Sequence, residues 1–249
     1  MSVKIGHSSI DEHGKNHGGQ AGDSTSKEVC LRSWYKNSWH TVLRPIDEEV
    51  AEKMAVACEA GCLNNKIGYD QYQRNTLRTQ AKAVGWDLSK ITVPCECDCS
   101  SFMSVCAECA GIDIPYNGNS APSTRTMVDA FKSTGEFKLL QESKYLLSDE
   151  YLKRGDVLVK NGHTVMVLED GKYAHVKMVE VNCQVLKKKA KGEAVVALQA
   201  ILNARGFNCG DVDGSFGGNT DKAVRAFQKG NGLAVDGIVG TDTWTALLN

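Results

Sequence analysis

The chain has 249 residues, 42% of them apolar and 24% charged, with 29 Lys and Arg against 30 Asp and Glu for a net charge of −1. That balance offers no field to nucleic acid or to an anionic membrane surface, and no apolar run is long enough to span a bilayer, so neither nucleic-acid binding nor membrane insertion is expected. The length exceeds a typical single domain and accommodates two.

Met1 to His7 leads into a polar, Gly-rich stretch without the apolar core of an export signal, which predicts a protein made in the cytosol. Ten cysteines fit that reducing compartment better than a disulfide framework, since a chain of this length builds a core without staples. Residues 7–23 read as loop. His7, Asp11, His13 and His17 within them raise a metal reading, set aside because polar loops gather such residues by chance; no metal and no cofactor is expected. Val29 to Tyr35 reads as a strand with an aromatic end that includes Trp34, and Asp47 to Ala60 as a helix burying Val50, Met54 and Ala57. Tyr69, Asp70 and Arg74 then bring an aromatic ring, a carboxylate and a guanidinium together, a set suited to a peptide carrying a free amine and a carboxylate.

Asp98-Cys99-Ser100-Ser101-Phe102 begins a buried helix: Phe102, Val105, Cys106 and Cys109 recur at helical spacing, Ser100 and Ser101 suit a first turn, and Gly111 is a stop. A thiol becomes a strong nucleophile as thiolate, and a helix N-terminus with a neighbouring imidazole lowers its pKa, which is the state expected of Cys99. A zinc cluster of Cys95, Cys97, Cys99, Cys106 and Cys109 is the rival. Its spacing is wrong, because the one Cys-x-x-Cys lies inside the apolar helix. Asp156 to Val159 and Thr164 to Leu168 read as strands, and Asp170-Gly171 turns the second into a hairpin partner, Tyr173 to Val176. His163 and His175 are thereby expected side by side as a base and its orienter, with Glu169 and Asp170 as the fallback orienters on the turn.

Cys183 to Gly192, with its basic run of lysines 187–189 and 191, is expected to be a solvated linker. Beyond it an internal repeat sets Val212-Asp213-Gly214-Ser215-Phe216-Gly217 and Thr220 against Val235-Asp236-Gly237-Ile238-Val239-Gly240 with Thr241 and Thr243. Each copy is a turn feeding a helix, with apolar stripes Ala223, Val224 and Phe227, and Trp244, Leu247 and Leu248, behind an opening helix through Val195, Leu198, Ile201 and Leu202.

On these residues the stretch 90–180 resembles the NlpC-type family of papain-fold cysteine peptidases, which cut peptidoglycan stem peptides. The resemblance implies Cys99 as nucleophile, His163 as base, His175 as third residue, and Asp98 with Ser100 beside the substrate amine; Ser101 departs from the family by replacing a glycine. The N-terminal stretch from Gly6-His7 through Trp34-Tyr35 is similar to endolysins of phages infecting Gram-positive anaerobes, which implies that it lines the catalytic cleft. The C-terminal segment resembles the small peptidoglycan-binding domain of cell-wall hydrolases. The expectation is therefore an α+β protein: a papain-like peptidase domain over 1–182, its nucleophile helix packed on an antiparallel sheet, a linker over 183–192, and a three-helix wall-binding domain over 193–249. Its function would be cleavage of a stem-peptide amide, at the D-γ-glutamyl-diamino acid bond or, alternatively, between muramic acid and L-alanine, with an inactive wall-binding protein as the rival of another class. Its partner would be bacterial peptidoglycan, reached from the host cytoplasm after a holin opens the membrane.

Overall fold

The computed structural model describes residues 2–175 and 184–248. They fall into two units, Met1–Val176 and Lys177–Asn249. No helix among the described residues is long and apolar enough to cross a membrane.

The first unit carries strands β1 (Lys4–Ser8), β2 (Val29–Ser33) and β3 (Thr41–Pro45), helix α1 (Glu48–Leu63), strand β4 (Ile67–Tyr69), helix α2 (Thr76–Ala83), strand β5 (Cys95–Cys97), and helices α3 (Cys99–Cys109) and α4 (Met127–Ser133). Strand β6 (Phe137–Leu140), helix α5 (Ser143–Leu146) and strands β7 (Val157–Lys160) and β8 (His163–Val167) complete it. Six strands form one antiparallel sheet in the order β2-β1-β8-β7-β3-β6, and β4 pairs with β5 in parallel. The period of two decides which side chain faces where. Val157, Val159 and Met166 join the core shared with α1 and α3, whereas Leu158, Val165 and Val167 join Val3, Ile5, Trp39 and Val42 in a separate cluster.

The mixed α and β content, the antiparallel sheet and the helical C-terminal unit agree with the expected class. Helix α1 starts where its acidic first turn meets the positive end of the helix dipole, with Asp47 capping the amides of Glu49 and Val50. The strand entry Arg154-Gly155-Asp156 is fixed by contacts on both sides. Asp156 is fully buried and takes two bonds from Arg44, at 2.8 and 2.6 Å. Gly155 has φ +89°, and a Cβ there would stand 2.7 Å from the Ala51 Cβ, so only glycine lets this turn lie on α1.

The second unit holds α6 (Glu193–Ala204), α7 (Gly218–Gly230) and α8 (Thr241–Leu248) around Leu198, Leu202, Phe216, Val224, Phe227, Trp244 and Leu247. The repeat is visible atom by atom. In the first copy the buried Gln199 donates to Asp213 Oδ1, the Ser215 carbonyl and Thr220 Oγ1, and accepts the Gly214 amide at 2.9 Å. In the second, Gln228 donates to Asp236 Oδ1, the Ile238 carbonyl and Thr243 Oγ1, and accepts the Gly237 amide at 3.0 Å.

The expected linker is corrected. Leu186 is buried in this core and bridges Val239, the Lys189 amide donates to the Phe216 carbonyl at 3.0 Å, and the Trp244 indole donates to the Gln184 carbonyl. The lysines of the basic run stay exposed while Leu186 packs inward, so a segment polar in composition is structured through its backbone. Cys183 lies outside the described residues.

Candidate active site

Cys99 is the first residue of α3. Asp98 caps the helix: its Oδ1 accepts the Ser101 amide at 2.7 Å, while Ser101 Oγ accepts the Asp98 amide at 2.9 Å. This reciprocal capping box gives Ser101 its role, since the hydroxyl satisfies a backbone amide that a glycine here would leave to water. Cys99 is 6% exposed, and its thiol lies close enough to the backbone of Thr164, the residue that follows His163 in β8, for that amide to pull its pKa down. Sulfur and imidazole therefore share one end of that strand, with no hydrogen bond joining them.

The charge state of Cys99 differs from the expectation. Burial, and after it the Asp98 carboxylate, push the thiol up to about 12, against the Thr164 and Ser100 amides and the Arg74 guanidinium, which pull it down. His163 is held at about 4 by burial and by the charges of Lys160 and Arg32. Near neutral pH this form thus holds a neutral thiol and a neutral imidazole; desolvation outweighs the helix N-terminus.

His175 is corrected most clearly. The hairpin strand expected over Tyr173 to Val176 is absent over its described part, where residues 172–175 form a turn tied back by the Gly171 amide to the Leu152 carbonyl. The reason is competition for the sheet edge: β1 occupies the flank of β8, pairing Ile5 with Val167 and Gly6 with Met166. His175 lies beyond the far end of β8, roughly 13 Å of strand away from His163. Its side chain is 66% exposed, and its Nε2 meets Asp170 Oδ2 at 2.8 Å. It lines a cavity of about 520 Å³ with Arg44, Glu52, Tyr145 and Arg154, none of which belongs to the Cys99 end. Asp170, the fallback orienter, is engaged there, and Glu169 pairs with Lys4 at 2.9 Å.

What stands beside His163 is His7, with ring centroids 5.6 Å apart and planes at 85°, and Trp39 at 6.3 Å. The sequence reading placed His7 in a loop. Its signal was the alternation Val3, Ile5, His7, which marks one face of β1.

The expected substrate-binding set is drawn together but largely occupied by its own members. Arg74 Nε lies 2.8 Å from Asp98 Oδ2, and its other nitrogens donate to Ser100 Oγ and the carbonyls of Ala121 and Pro122. These residues therefore brace the start of α3. Asp70 is buried and accepts the amides of Gly18, Tyr72 and Gln73, fastening loops. Tyr69 is buried close enough for Cys99 and Asp98 to raise its hydroxyl pKa, after burial itself. Trp34 packs half-buried against the Trp39 cluster. Cys106, read against zinc, neighbours Cys58 and Cys62 in the helical core, where burial contributes to raising each thiol.

Comparison with known proteins bears on both units. Residues 191–247 match the model of the peptidoglycan binding domain. A spore cortex-lytic enzyme of Bacillus cereus is 48% identical over 60 residues, 24% of this chain and 23% of that one. The N-acetylmuramoyl-L-alanine amidase CwlL of Bacillus licheniformis is 49% identical over 65 residues, 25% of this chain and 18% of that one. The chain thus spans about a quarter or less of the length of these curated relatives. Among solved structures, the SleB N-terminal domain is 45% identical over 26% of this chain and 90% of that one, with a TM-score of 0.26. Residues 5–174, well over half of the chain, match the endolysin-like domain model, and the chain belongs to that family.

Proposed function

We propose that this protein is a peptidoglycan hydrolase of the cysteine type, whose first unit cuts an amide bond of the wall stem peptide and whose second unit holds it on the polymer. The carrying observation is the thiol of Cys99 at a capped helix start, close to the backbone amide that follows His163, within a chain of the endolysin-like domain family. Tethering by the second unit raises the effective concentration of stem peptides at the first.

In this reading His163 removes the Cys99 proton as sulfur attacks the amide carbon, and the imidazolium returns it to the leaving amine. Coupled transfer suits a pair that rests neutral, because a free thiolate need never accumulate. Backbone N–H groups at the start of α3 face the position where the oxyanion develops. Water then releases the acyl group. The NlpC resemblance favours the D-γ-glutamyl-diamino acid bond, and the same reading puts the protein in the host bacterial cytoplasm until a holin opens the way to the wall.

The test is digestion of purified peptidoglycan by the wild-type chain and by Cys99→Ala, with the new termini identified by mass spectrometry. New amines on the diamino acid, absent with the variant, are the expected result. Free L-alanine amines would make the enzyme an amidase, and products from the variant would overturn Cys99 as nucleophile.

A further inference from the structure

In the pair formed by the buried His7 and the half-buried His163, one ring nitrogen is unpartnered among the described residues. Val3, just before β1, and Ile5 within it face the Trp39 cluster, as do Val165 and Val167 of β8; His7 and His163 continue these two series onto the same face. The register Ile5↔Val167 and Gly6↔Met166, continued by one step, sets His7 opposite Val165 and diagonal to His163. At 5.6 Å between centroids and 85° between planes, one ring presents its edge to the other. His7 is 4% exposed, and its Nδ1 is buried without a hydrogen-bond partner among the described residues. The groups whose charge reaches the pair are the cations Arg32 on β2 and Lys160 at the end of β7. Among the described residues no carboxylate contributes to the charge at this pair, and His175 is spent on Asp170.

We propose that His7 is the positioning residue for His163, its ring offering the lone pair that accepts the second N–H of His163 while that ring carries the Cys99 proton. The inference rests on the thiol–imidazole reading above. The proton passes from the Cys99 sulfur to one nitrogen of His163, the other N–H is held by His7, and the proton then leaves on the departing amine; His7 gains and loses none. An uncharged acceptor fits a pocket already facing two cations. It also gives a partner to a buried nitrogen that is otherwise costly to leave bare.

The experiment compares the full chain with Cys99→Ala, His7→Phe and His7→Asn on a soluble muropeptide across pH, together with long-range ¹H–¹⁵N spectra of histidine-labelled protein. His7→Phe keeps the bulk and removes the acceptor: kcat is expected to fall about 100-fold with KM little changed, the cost of a misplaced catalytic group. His7→Asn should recover part of the loss. In the wild type the His163 ring should hold one tautomer, and in His7→Phe it should exchange between two. Wild-type kcat, pH profile and His163 spectrum in His7→Phe, with Cys99→Ala inactive, would overturn this assignment and leave the hydrolase reading standing. Activity in Cys99→Ala would instead remove the reading beneath it. Should His7→Phe fail to fold, the wild-type spectrum decides, and a His163 ring averaging its tautomers overturns the proposal.

Discussion

Both units tie a turn to their core by the same device, a buried side-chain oxygen that accepts a glycine amide, yet they complete it differently. Gln199 and Gln228 take the Gly214 and Gly237 amides and spend their own N–H groups on three acceptors each. In the first unit Glu96 takes the Gly22 amide at 2.8 Å and Glu28 the Tyr69 amide at 3.1 Å, and each is left with a second buried oxygen that has no partner among the described residues. A Cβ on Gly68 would meet the Gly22 carbonyl carbon at 2.6 Å, so the backbone is closely packed at this point. In the second unit the lattice holds its carboxylates ionised: the Gln199 side chain lowers the pKa of Asp213, and the Ile238 amide with the Gln228 side chain lowers that of Asp236. The first stores protonatable groups in the same fold as its thiol and imidazoles, with Glu28 pushed up to about 7 and Glu96 to about 8, by burial before all else.

The largest expected effect of that contrast is on reactivity. With its thiol near 12, Cys99 in the unliganded chain should react with iodoacetamide at pH 7 about 10³-fold more slowly than a free thiol, and faster as pH rises. Peptide mapping of labelled protein measures it, and fast labelling at pH 7 would show a thiolate at rest.

Next comes the lattice. Gln228→Leu strands the Gly237 amide and three acceptors and should cost about 3 kcal/mol, read as a shift in the denaturation midpoint of the full chain. Gln199→Leu should cost the same, and unequal losses would break the equivalence of the two copies.

The carboxylates should behave in the opposite sense. Because their folded pKa values lie above the ordinary 4.5, their contribution to stability is full below that pH and is lost as pH rises through about 7 to 8. Glu28→Gln with Glu96→Gln keeps the accepting oxygens and removes the titration. The double variant should melt on the order of 5 °C above wild type at pH 8 and level with it at pH 4. A variant less stable at both would mean that the second oxygens have partners in solution. The smallest effect is expected of Ser101→Gly, about 1 kcal/mol from losing half of the capping box.

Much of the architecture was legible in local pattern. The start of α3 at Cys99 and its end before Gly111, the acidic cap of α1, the two strands around Lys160 and His163, and the duplicated turns all follow from spacing and turn chemistry, which act over a few residues. The linker was misread for the complementary reason: composition described the lysine side chains, whereas Leu186 and the backbone decided the packing.

The site divides along the same line. The sequence by itself determined the Cys99 helix start, the His163 strand and the paired turns of the second unit, because each is written in neighbouring residues. Only the tertiary structure decided that β1 lies against β8, so that His7, 156 positions earlier, stands at His163 in the place expected of His175. It also decided that burial holds the thiol neutral. Strand order and desolvation arise from contacts across the whole unit, and no local spacing encodes them.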